Sequence, residues 1–143
     1  TLHAGVGGTM VRFDADHLRR ILINLLDNAR RYATHSAPIE VTTRWDSAGL
    51  VELRVWSDGP ALEPAVRRHL FEPFFSSQSR SSGLGLYICR ELCERHQAAI
   101  RYARTTRDRA GQSLAGNEFC VRFVSIDAIG TSPASGARED PTP

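Results

Sequence analysis

The chain has 143 residues, 41% of them hydrophobic and 24% charged, which predicts one soluble globular domain with a buried core. Its formal net charge is +2 and its basic residues are scattered, so the sequence argues against binding to nucleic acid or directly to a membrane. No apolar run is long enough to span a bilayer, and no signal peptide is visible.

The spacing of the cysteines bears on the redox compartment of the protein, and the first residue bears on whether the chain is a piece of a longer one. Cys89, Cys93 and Cys120 show neither disulfide-framework nor metal-site spacing, which favours reduced thiols in a cytoplasmic protein. Because the chain begins at Thr1, we expect it to be a piece of a longer protein whose membrane spans, if it has any, lie elsewhere.

The strongest local pattern is an amphipathic helix near the start of the chain. Residues 1–8 are expected to be a linker and Thr9–Phe13 a short strand. Asp14 then occupies an N-cap position, and from Leu18 to Ala33 apolar residues recur at the spacing of one helix face. This pattern predicts a helix that packs its leucine stripe against the rest of the domain.

The remainder of the chain predicts four further strands and two further helices. Alternating apolar and polar residues indicate strands, and Pro and Gly mark where elements end. In order, the sequence predicts a strand over Ile39–Trp45, a turn at Asp46–Gly49, a strand over Val51–Val55, a loop over Ser57–Leu62, a helix from Pro64 to Leu70, a polar loop over Ser76–Ser82, a helix to His96, a strand over Ile100–Ala103, a flexible turn over Gly111–Asn117 and a strand over Phe119–Val124. Residues 125–143 are rich in Pro, Ser, Ala and Gly and are predicted to be disordered.

Three polar side chains of the first predicted helix share one side of it. At about 100° per residue, Asn24, Asn28 and Arg31 fall within roughly 60° of one another, beside the leucine stripe. Carboxamide oxygens suit Mg²⁺ that also binds phosphate, and a guanidinium can clamp phosphate. A solvated polar flank on an ordinary core helix explains the same pattern.

Two glycine-containing segments could approach a ligand. Gly83 and Gly85 precede a helix whose free N–H groups and positive dipole end suit phosphate, although a tight loop that needs glycine for its own geometry fits equally well. Asp58, beside Gly59 at a strand end, could accept a hydrogen bond from an exocyclic amine such as that of adenine. Asp-Gly-Pro is also good turn chemistry.

Four motifs follow one another in a fixed order. They are Asn24-Leu25-Leu26-Asp27-Asn28-Ala29, Asp58-Gly59-Pro60, Phe71-Glu72-Pro73-Phe74-Phe75 and Gly83-Leu84-Gly85-Leu86. Together they resemble the catalytic ATP-binding domain of bacterial sensor histidine kinases, over residues 9–124, and are most similar to the nitrogen- and pilus-regulating kinases. The resemblance implies a two-layer α/β sandwich, the Bergerat fold of gyrase, Hsp90 and MutL, with a mixed sheet of about five strands backed by about three helices.

The resemblance also implies ATP and Mg²⁺ as cofactors and a role for each matching residue. Asn28 would reach Mg²⁺ on the phosphates, and Asn24 and Arg31 would contribute to catalysis beside it, Arg31 where the family usually has lysine. Tyr32 would lie beside the nucleotide, and Ser76–Ser82 would form a short lid. The remaining implied nucleotide-binding residues are Ser57, Asp58, Gly59, Ala61, Leu62, Phe75, Ser82, Gly83, Leu84, Gly85 and Leu86.

The adenine loop departs from the family pattern. The family has Asp-x-Gly-x-Gly there, whereas this chain has Ser57-Asp58-Gly59-Pro60-Ala61, so Ser57 and Ala61 replace the aspartate and the second glycine. Loss of a charge-assisted hydrogen bond to adenine would weaken binding by roughly 1.5–3 kcal/mol. Either the loop rearranges so that Asp58 takes the role, or adenine binding is weak or lost.

Two functions follow from the resemblance. In the first, the domain binds ATP and Mg²⁺ and donates the γ-phosphate to a histidine in the dimerisation domain of its parent kinase, a cytoplasmic protein or the cytoplasmic part of an inner-membrane sensor, and the phosphate then passes to a response regulator. In the second, a degenerate domain that binds no nucleotide acts as a regulatory or interaction module. An anti-sigma-like serine kinase of the same fold is disfavoured by the resemblance over Tyr87–Glu94.

Two features separate kinase chemistry from its alternatives. Asn24 stands where the gyrase and Hsp90 branches carry a general-base glutamate, and a carboxamide has no basicity to activate water, which argues for phosphoryl transfer over hydrolysis. None of the histidines has the sequence context of the family's phosphoacceptor. The chain alone is therefore not expected to phosphorylate itself.

Overall fold

The computed structural model describes residues 2–4, 7, 9–75 and 83–124. The elements are β1 (Leu2–Ala4), α1 (Ala15–Tyr32), β2 (Glu40–Trp45), β3 (Val51–Asp58), α2 (Pro64–Arg68), α3 (Gly85–Arg95), β4 (Ala99–Arg109) and β5 (Gln112–Arg122). The strands form one sheet in the order β1-β2-β3-β5-β4, in which β1 is parallel to β2 and the other neighbours are antiparallel. This mixed sheet with three helices confirms the predicted fold class. Within the described ranges, no helix combines the length and apolarity of a bilayer crossing.

The hydrophobic core lies between one face of the sheet and the helices α1 and α3. The Asp14 carboxylate caps the N-terminus of α1 by accepting hydrogen bonds from the backbone N–H groups of Asp16 and His17, each at 2.9 Å. This confirms the predicted N-cap, and the predicted apolar stripe is the face that α1 buries. The buried residues of the core are Ile21, Leu25, Ala29, Val51, Leu53, Val55, Cys89, Cys93, Ala98, Val121 and Phe123.

All three cysteines are free and buried. Burial raises the pKa of Cys89 and of Cys93 to about 12 and that of Cys120 to about 11. Thiols that stay neutral inside the protein pack as small apolar groups rather than act as nucleophiles.

The structure corrects the expected strand boundaries near the N-terminus and in β3. Leu2–Ala4, within the segment expected to be a linker, forms β1 by pairing with β2, while in Thr9–Phe13 only Val11 makes an isolated bridge. β3 continues past the expected end because Ser57 and Asp58 still pair with β5. These two residues therefore belong to a strand and not to the expected loop.

The predicted flexible turn over Gly111–Asn117 is wrong. β4 runs to Arg109 and β5 begins at Gln112, so only Ala110 and Gly111 lie between the two strands. Both have positive φ, 47° and 80°, as a tight hairpin turn requires. The polar residues that suggested a loop extend the hairpin instead.

Three glutamates are buried on the sheet face opposite the helices. The alternating sequence pattern predicted that this face would be exposed to water. Glu40, Glu52 and Glu118 are 5%, 0% and 1% exposed. Burial opposes ionisation of Glu52, but the hydrogen bond and charge of Arg54 and the charge of Arg101 outweigh it and lower the pKa of Glu52. The ion pairs join Glu52 to Arg44, Arg54 and Arg101, Glu118 to Arg54 and Arg107, and Glu40 to Arg107 and Arg109.

Gly116 is the point at which the β4–β5 hairpin leaves the rest of the sheet. In chain order it is the first β5 residue that pairs with β3, and it lies opposite Asp58. A Cβ on Gly116 would lie 2.3 Å from Cε2 of Trp56 and 2.5 Å from the Ser57 carbonyl oxygen, so only glycine fits. The Arg107 guanidinium lies 5.7 Å from the Trp56 ring centroid, which shows that the hairpin covers the buried indole.

We predict that Gly116→Ala lowers the free energy of unfolding by about 1–3 kcal/mol, because the added methyl group must displace the buried Trp56 indole or the β3 backbone. Urea denaturation measures the change. Gly7→Ala is the control, since no atom lies within 4 Å of a Cβ built there. Equal stability of the two variants would contradict the packing described for Gly116.

Asp58 ties the end of β3 to the loop that follows α1. Its Oδ2 accepts hydrogen bonds from Oγ1 of Thr34 at 2.6 Å and from the backbone N–H of Ser36 at 2.7 Å. Burial opposes ionisation of this carboxyl group, but these hydrogen bonds, with weaker backbone bonds from the same loop, outweigh it and lower the pKa of Asp58.

We predict that Asp58→Asn lowers the free energy of unfolding by about 1–3 kcal/mol near pH 7, because it removes the charge that these donors stabilise. The folded-state pKa of Asp58 lies below its ordinary value of 3.8, so its stabilisation is complete above that value. It declines as the pH falls towards the folded-state pKa. Urea denaturation at several pH values should show the difference between wild type and variant shrinking in acid. A constant difference would contradict the assignment.

Candidate functional site

A cavity of about 260 Å³ opens between α1, α2, the start of α3, the end of β3 and the middle of β5. Ten residues that the sequence singled out meet at its wall. They are Asn24, Asn28, Arg31, Tyr32, Ser57, Leu62, Phe75, Gly83, Gly85 and Leu86. Residues separated by up to 62 positions in the chain thus form one concave surface of the kind that binds small molecules.

The helix α1 supplies a polar wall to the cavity. Asn24, Asn28 and Arg31 all face it, as their helical spacing predicted. Asp27 also lines the cavity and adds a carboxylate that the sequence interpretation missed. The Oδ1 atom of Asn24 lies 3.5 Å from the position a Cβ would take on Gly85, which brings the α1 wall against the start of α3.

The start of α3 forms the facing wall, and it is uncapped in the sense that its N-cap residue makes no side-chain capping hydrogen bond. The N-cap residue is Leu84, which cannot accept a hydrogen bond from the first backbone N–H groups. Gly83, Gly85 and Leu86 line the cavity, whereas Leu84 does not. A helix end of this kind presents free N–H donors and a partial positive charge, which favours an anion.

Gly83 holds the start of α3 against the phenylalanine motif. Its φ is 66°, and a Cβ there would lie 2.7 Å from the carbonyl carbon of Phe74, so its backbone conformation and the space around it both require glycine. The predicted lid over Ser76–Ser82, including Ser82 as a nucleotide contact, lies outside the described residues. The residues that flank it, Phe75 and Gly83, both line the cavity.

Ser57 and Asp58 point in opposite directions at the end of β3. Successive strand residues alternate between faces, so Ser57 lines the cavity while Asp58 turns towards Thr34 and Ser36. Asp58 therefore does not line the cavity, and its Oδ2 atom is engaged by the loop after α1. An adenine-binding role for Asp58 finds no support in this arrangement and stays a prediction.

Gly59 and Ala61 also differ from expectation, since neither lines the cavity. The loop that contains them is held by hydrogen bonds from the β4–β5 side: Nη1 of Arg104 donates to the Gly59 carbonyl at 2.7 Å, and Nδ2 of Asn117 donates to the Pro60 carbonyl at 3.0 Å. These hydrogen bonds fix the loop next to the cavity, although Gly59 and Ala61 do not form part of the cavity wall.

The part of the cavity wall that comes from α2, the residues flanking it and β5 is mostly apolar and is called the apolar end. Leu62, Val66, Leu70 and Phe119 line it, and Ser57 and Asn117 lie side by side there on β3 and β5. The sequence interpretation missed Asp27, Ala29, Val66, Leu70, Asn117 and Phe119. The predicted helix from Pro64 to Leu70 would put Val66 and Leu70, at i and i+4, on one side, but α2 ends at Arg68, so Leu70 lies just beyond it. Placing Asn117 beside Ser57 required the β3–β5 pairing.

The oxygen donors at the α1 wall fit Mg²⁺ shared with a ligand. Asn28 presents a carboxamide beside the Asp27 carboxylate at the cavity. Among the described residues, no group of three or more His, Cys, Asp or Glu side chains could hold a metal ion by itself. Mg²⁺ usually keeps several waters and takes further oxygens from phosphate, which one or two protein oxygens can complete.

Comparisons with known proteins agree with this geometry. The family described as histidine kinase-, DNA gyrase B- and HSP90-like ATPases matches residues 13–127. The sensor protein kinase PilS of Pseudomonas aeruginosa is 38% identical over 105 residues, which cover 71% of this chain and 20% of PilS. The chain therefore spans about a fifth of the length of that relative.

Two solved structures share the fold over most of the chain. The mycobacterial sensor histidine kinase MprB has a TM-score of 0.67 at 25% identity, covering 87% of this chain and 84% of that one. Full-length ShkA in complex with AMPPNP has a TM-score of 0.60 at 26% identity, covering 87% of this chain and 26% of ShkA. The chain belongs to the family of histidine kinase-, DNA gyrase B- and HSP90-like ATPases, and its relatives there are sensor histidine kinases.

Proposed function

We propose that the chain is the ATP-binding catalytic domain of a sensor histidine kinase, which donates the γ-phosphate of ATP to a histidine of the parent protein. One observation carries this proposal: the uncapped start of α3 faces the Asn24 and Asn28 side of α1 across a single cavity whose other end is apolar. That cavity offers an anion-binding end and a base-binding end. The ShkA structure, a relative of the same fold, was solved with AMPPNP.

The anionic part of the nucleotide fits the α3 end of the cavity. Backbone N–H groups from Gly85 onwards point at this end, and Arg31 adds a guanidinium that pairs readily with phosphate oxygens. Gly83 and Gly85 both line the cavity, so the backbone of this segment lies at the cavity surface. We therefore place the phosphates between α3 and Arg31.

The metal belongs beside Asn28. Bound Mg²⁺ would neutralise phosphate charge during transfer. Asn28 supplies one carboxamide oxygen, and the Asp27 carboxylate would repel phosphate unless a cation lay between them. Asn24 orients groups at the transferring phosphate by hydrogen bonding without removing a proton from water, which favours transfer to a protein side chain over hydrolysis.

The partners proposed for the whole protein follow from the class of its relatives. Because the chain spans a fifth of PilS, the phosphoacceptor histidine, its dimerisation domain and the receiving response regulator are all assigned to proteins or segments outside this chain. We propose that this domain works on the cytoplasmic side, where ATP is available.

A second function, that of an interaction module without nucleotide, has one observation in its favour. Asp58 is committed to the Thr34–Ser36 loop, and Ser57 brings no charge to the cavity, so the carboxylate that the family uses for adenine is missing. The uncapped α3 start and the amide row of α1, which consists of Asn24 and Asn28, favour the kinase instead. A scaffold has no use for an open anion site.

We predict that the chain binds AMPPNP in the presence of Mg²⁺ and that Asn28→Ala weakens binding about tenfold, which corresponds to about 1.4 kcal/mol. Isothermal titration calorimetry measures both affinities. In EDTA the two proteins should bind equally weakly, because the Asn28 carboxamide acts through the metal.

Arg30→Ala is the matched control, since Arg30 is exposed on the same helix and does not line the cavity. Its affinity should equal that of the wild type. If the folded wild-type chain binds no nucleotide at about 1 mM, the kinase function is refuted for this domain and the interaction module remains.

A further inference from the structure

The apolar end of the cavity determines how the chain recognises a base, an inference that rests on the proposed function. With the phosphates at the α3 end, the base reaches the pocket lined by Leu62, Val66, Leu70 and Phe119. These side chains accept any flat purine by burial alone. Selection between purines therefore depends on the polar groups at this end, Ser57 and Asn117.

Asn117 offers the base no hydrogen-bond acceptor. Its Oδ1 accepts from the Tyr102 hydroxyl at 2.7 Å and from Nη1 of Arg104 at 3.2 Å, so both lone pairs are engaged. Its Nδ2 donates to the Pro60 carbonyl at 3.0 Å, which fixes the orientation of the carboxamide. Any group of Asn117 still free at the cavity is an N–H donor.

Asp58 offers the base no carboxylate. It lies on the other face of β3 and accepts hydrogen bonds from Thr34 and Ser36 instead. Moving it into the cavity would leave two donors without their acceptor and would reverse the alternation of the strand.

Ser57 is thus the residue that meets the edge of the base. Its hydroxyl faces the cavity and makes no hydrogen bond to any other residue in the described part of the chain. A hydroxyl rotates to donate or to accept, whereas a carboxylate only accepts. Ser57 can therefore accept from the 6-amino group of adenine or donate to the 6-keto group of guanine or hypoxanthine.

We infer that Ser57 sets the base selectivity of this domain and that the cavity binds 6-amino and 6-keto purine nucleotides with similar affinity. An aspartate at this position would accept from the amine and repel the keto oxygen, so it would discriminate where serine does not. The ligand class of the site is accordingly purine nucleoside triphosphates rather than ATP alone.

Competition binding tests this inference with ATP, ITP and GTP, each with Mg²⁺. ITP is the sharpest probe, because it replaces the 6-amino group by a keto group and adds no 2-amino group. For the wild type, the affinities for ATP and ITP should agree within about tenfold, and Ser57→Asp should shift their ratio towards ATP by about tenfold or more. Ser113→Asp, at an exposed β5 position away from the cavity, is the control for the added charge.

The outcomes separate this inference from the proposed function. A wild-type preference for ATP over ITP of more than about a hundredfold would overturn the inference and leave the kinase function intact. Failure of all three nucleotides to bind would refute both. Ser57→Ala covers the case in which Ser57→Asp fails to fold: loss of the hydroxyl should weaken ATP and ITP to a similar extent, and a loss confined to ATP would contradict the dual role of the hydroxyl.

Discussion

The close packing of α1 against the start of α3 is the constraint on which the rest of the site depends. Both helices bury apolar stripes on the same sheet face, and this fixes Asn24 beside Gly85. The uncapped helix end then lies directly across from the amide row of α1. The proposed anion site follows from how the core packs, because the leucine stripe and the polar side of α1 have a fixed angular relation.

The two faces of the sheet carry different kinds of interaction. The helix face carries the core and the cavity, whereas the opposite face buries glutamates under arginines and closes the β4–β5 hairpin over Trp56. Removal of an arginine from this face would leave a buried glutamate charge without its partner, so this face tolerates the loss of a partner poorly. Asn117 connects the hairpin to the cavity, because it belongs to β5 and its Nδ2 donates a hydrogen bond to the Pro60 carbonyl in the loop beside the cavity.

The sequence predicted α1, its N-cap and the side of α1 that lines the cavity because these depend on helical periodicity, which is a local property. It failed where long-range pairing decides the structure. The polar stretch Gly111–Asn117 resembles a loop until its partner β4 is known, and buried Glu52 resembles a solvated residue until arginines from the neighbouring parts of the sheet pair with it. The opposite directions of Ser57 and Asp58 were predictable from strand alternation only once β3 was known to continue through both residues.

The most direct test of the central claim, that phosphates bind between α3 and the amide row of α1, is a nuclear magnetic resonance titration of the ¹⁵N-labelled chain with AMPPNP and Mg²⁺. Saturable shifts should appear at the backbone N–H groups of Gly85 and Leu86 and at the side-chain amides of Asn24 and Asn28. The signals of Arg101 and Cys120, on the opposite sheet face, should not move. Shifts confined to that opposite face, or no saturable shift at all, would contradict the claim.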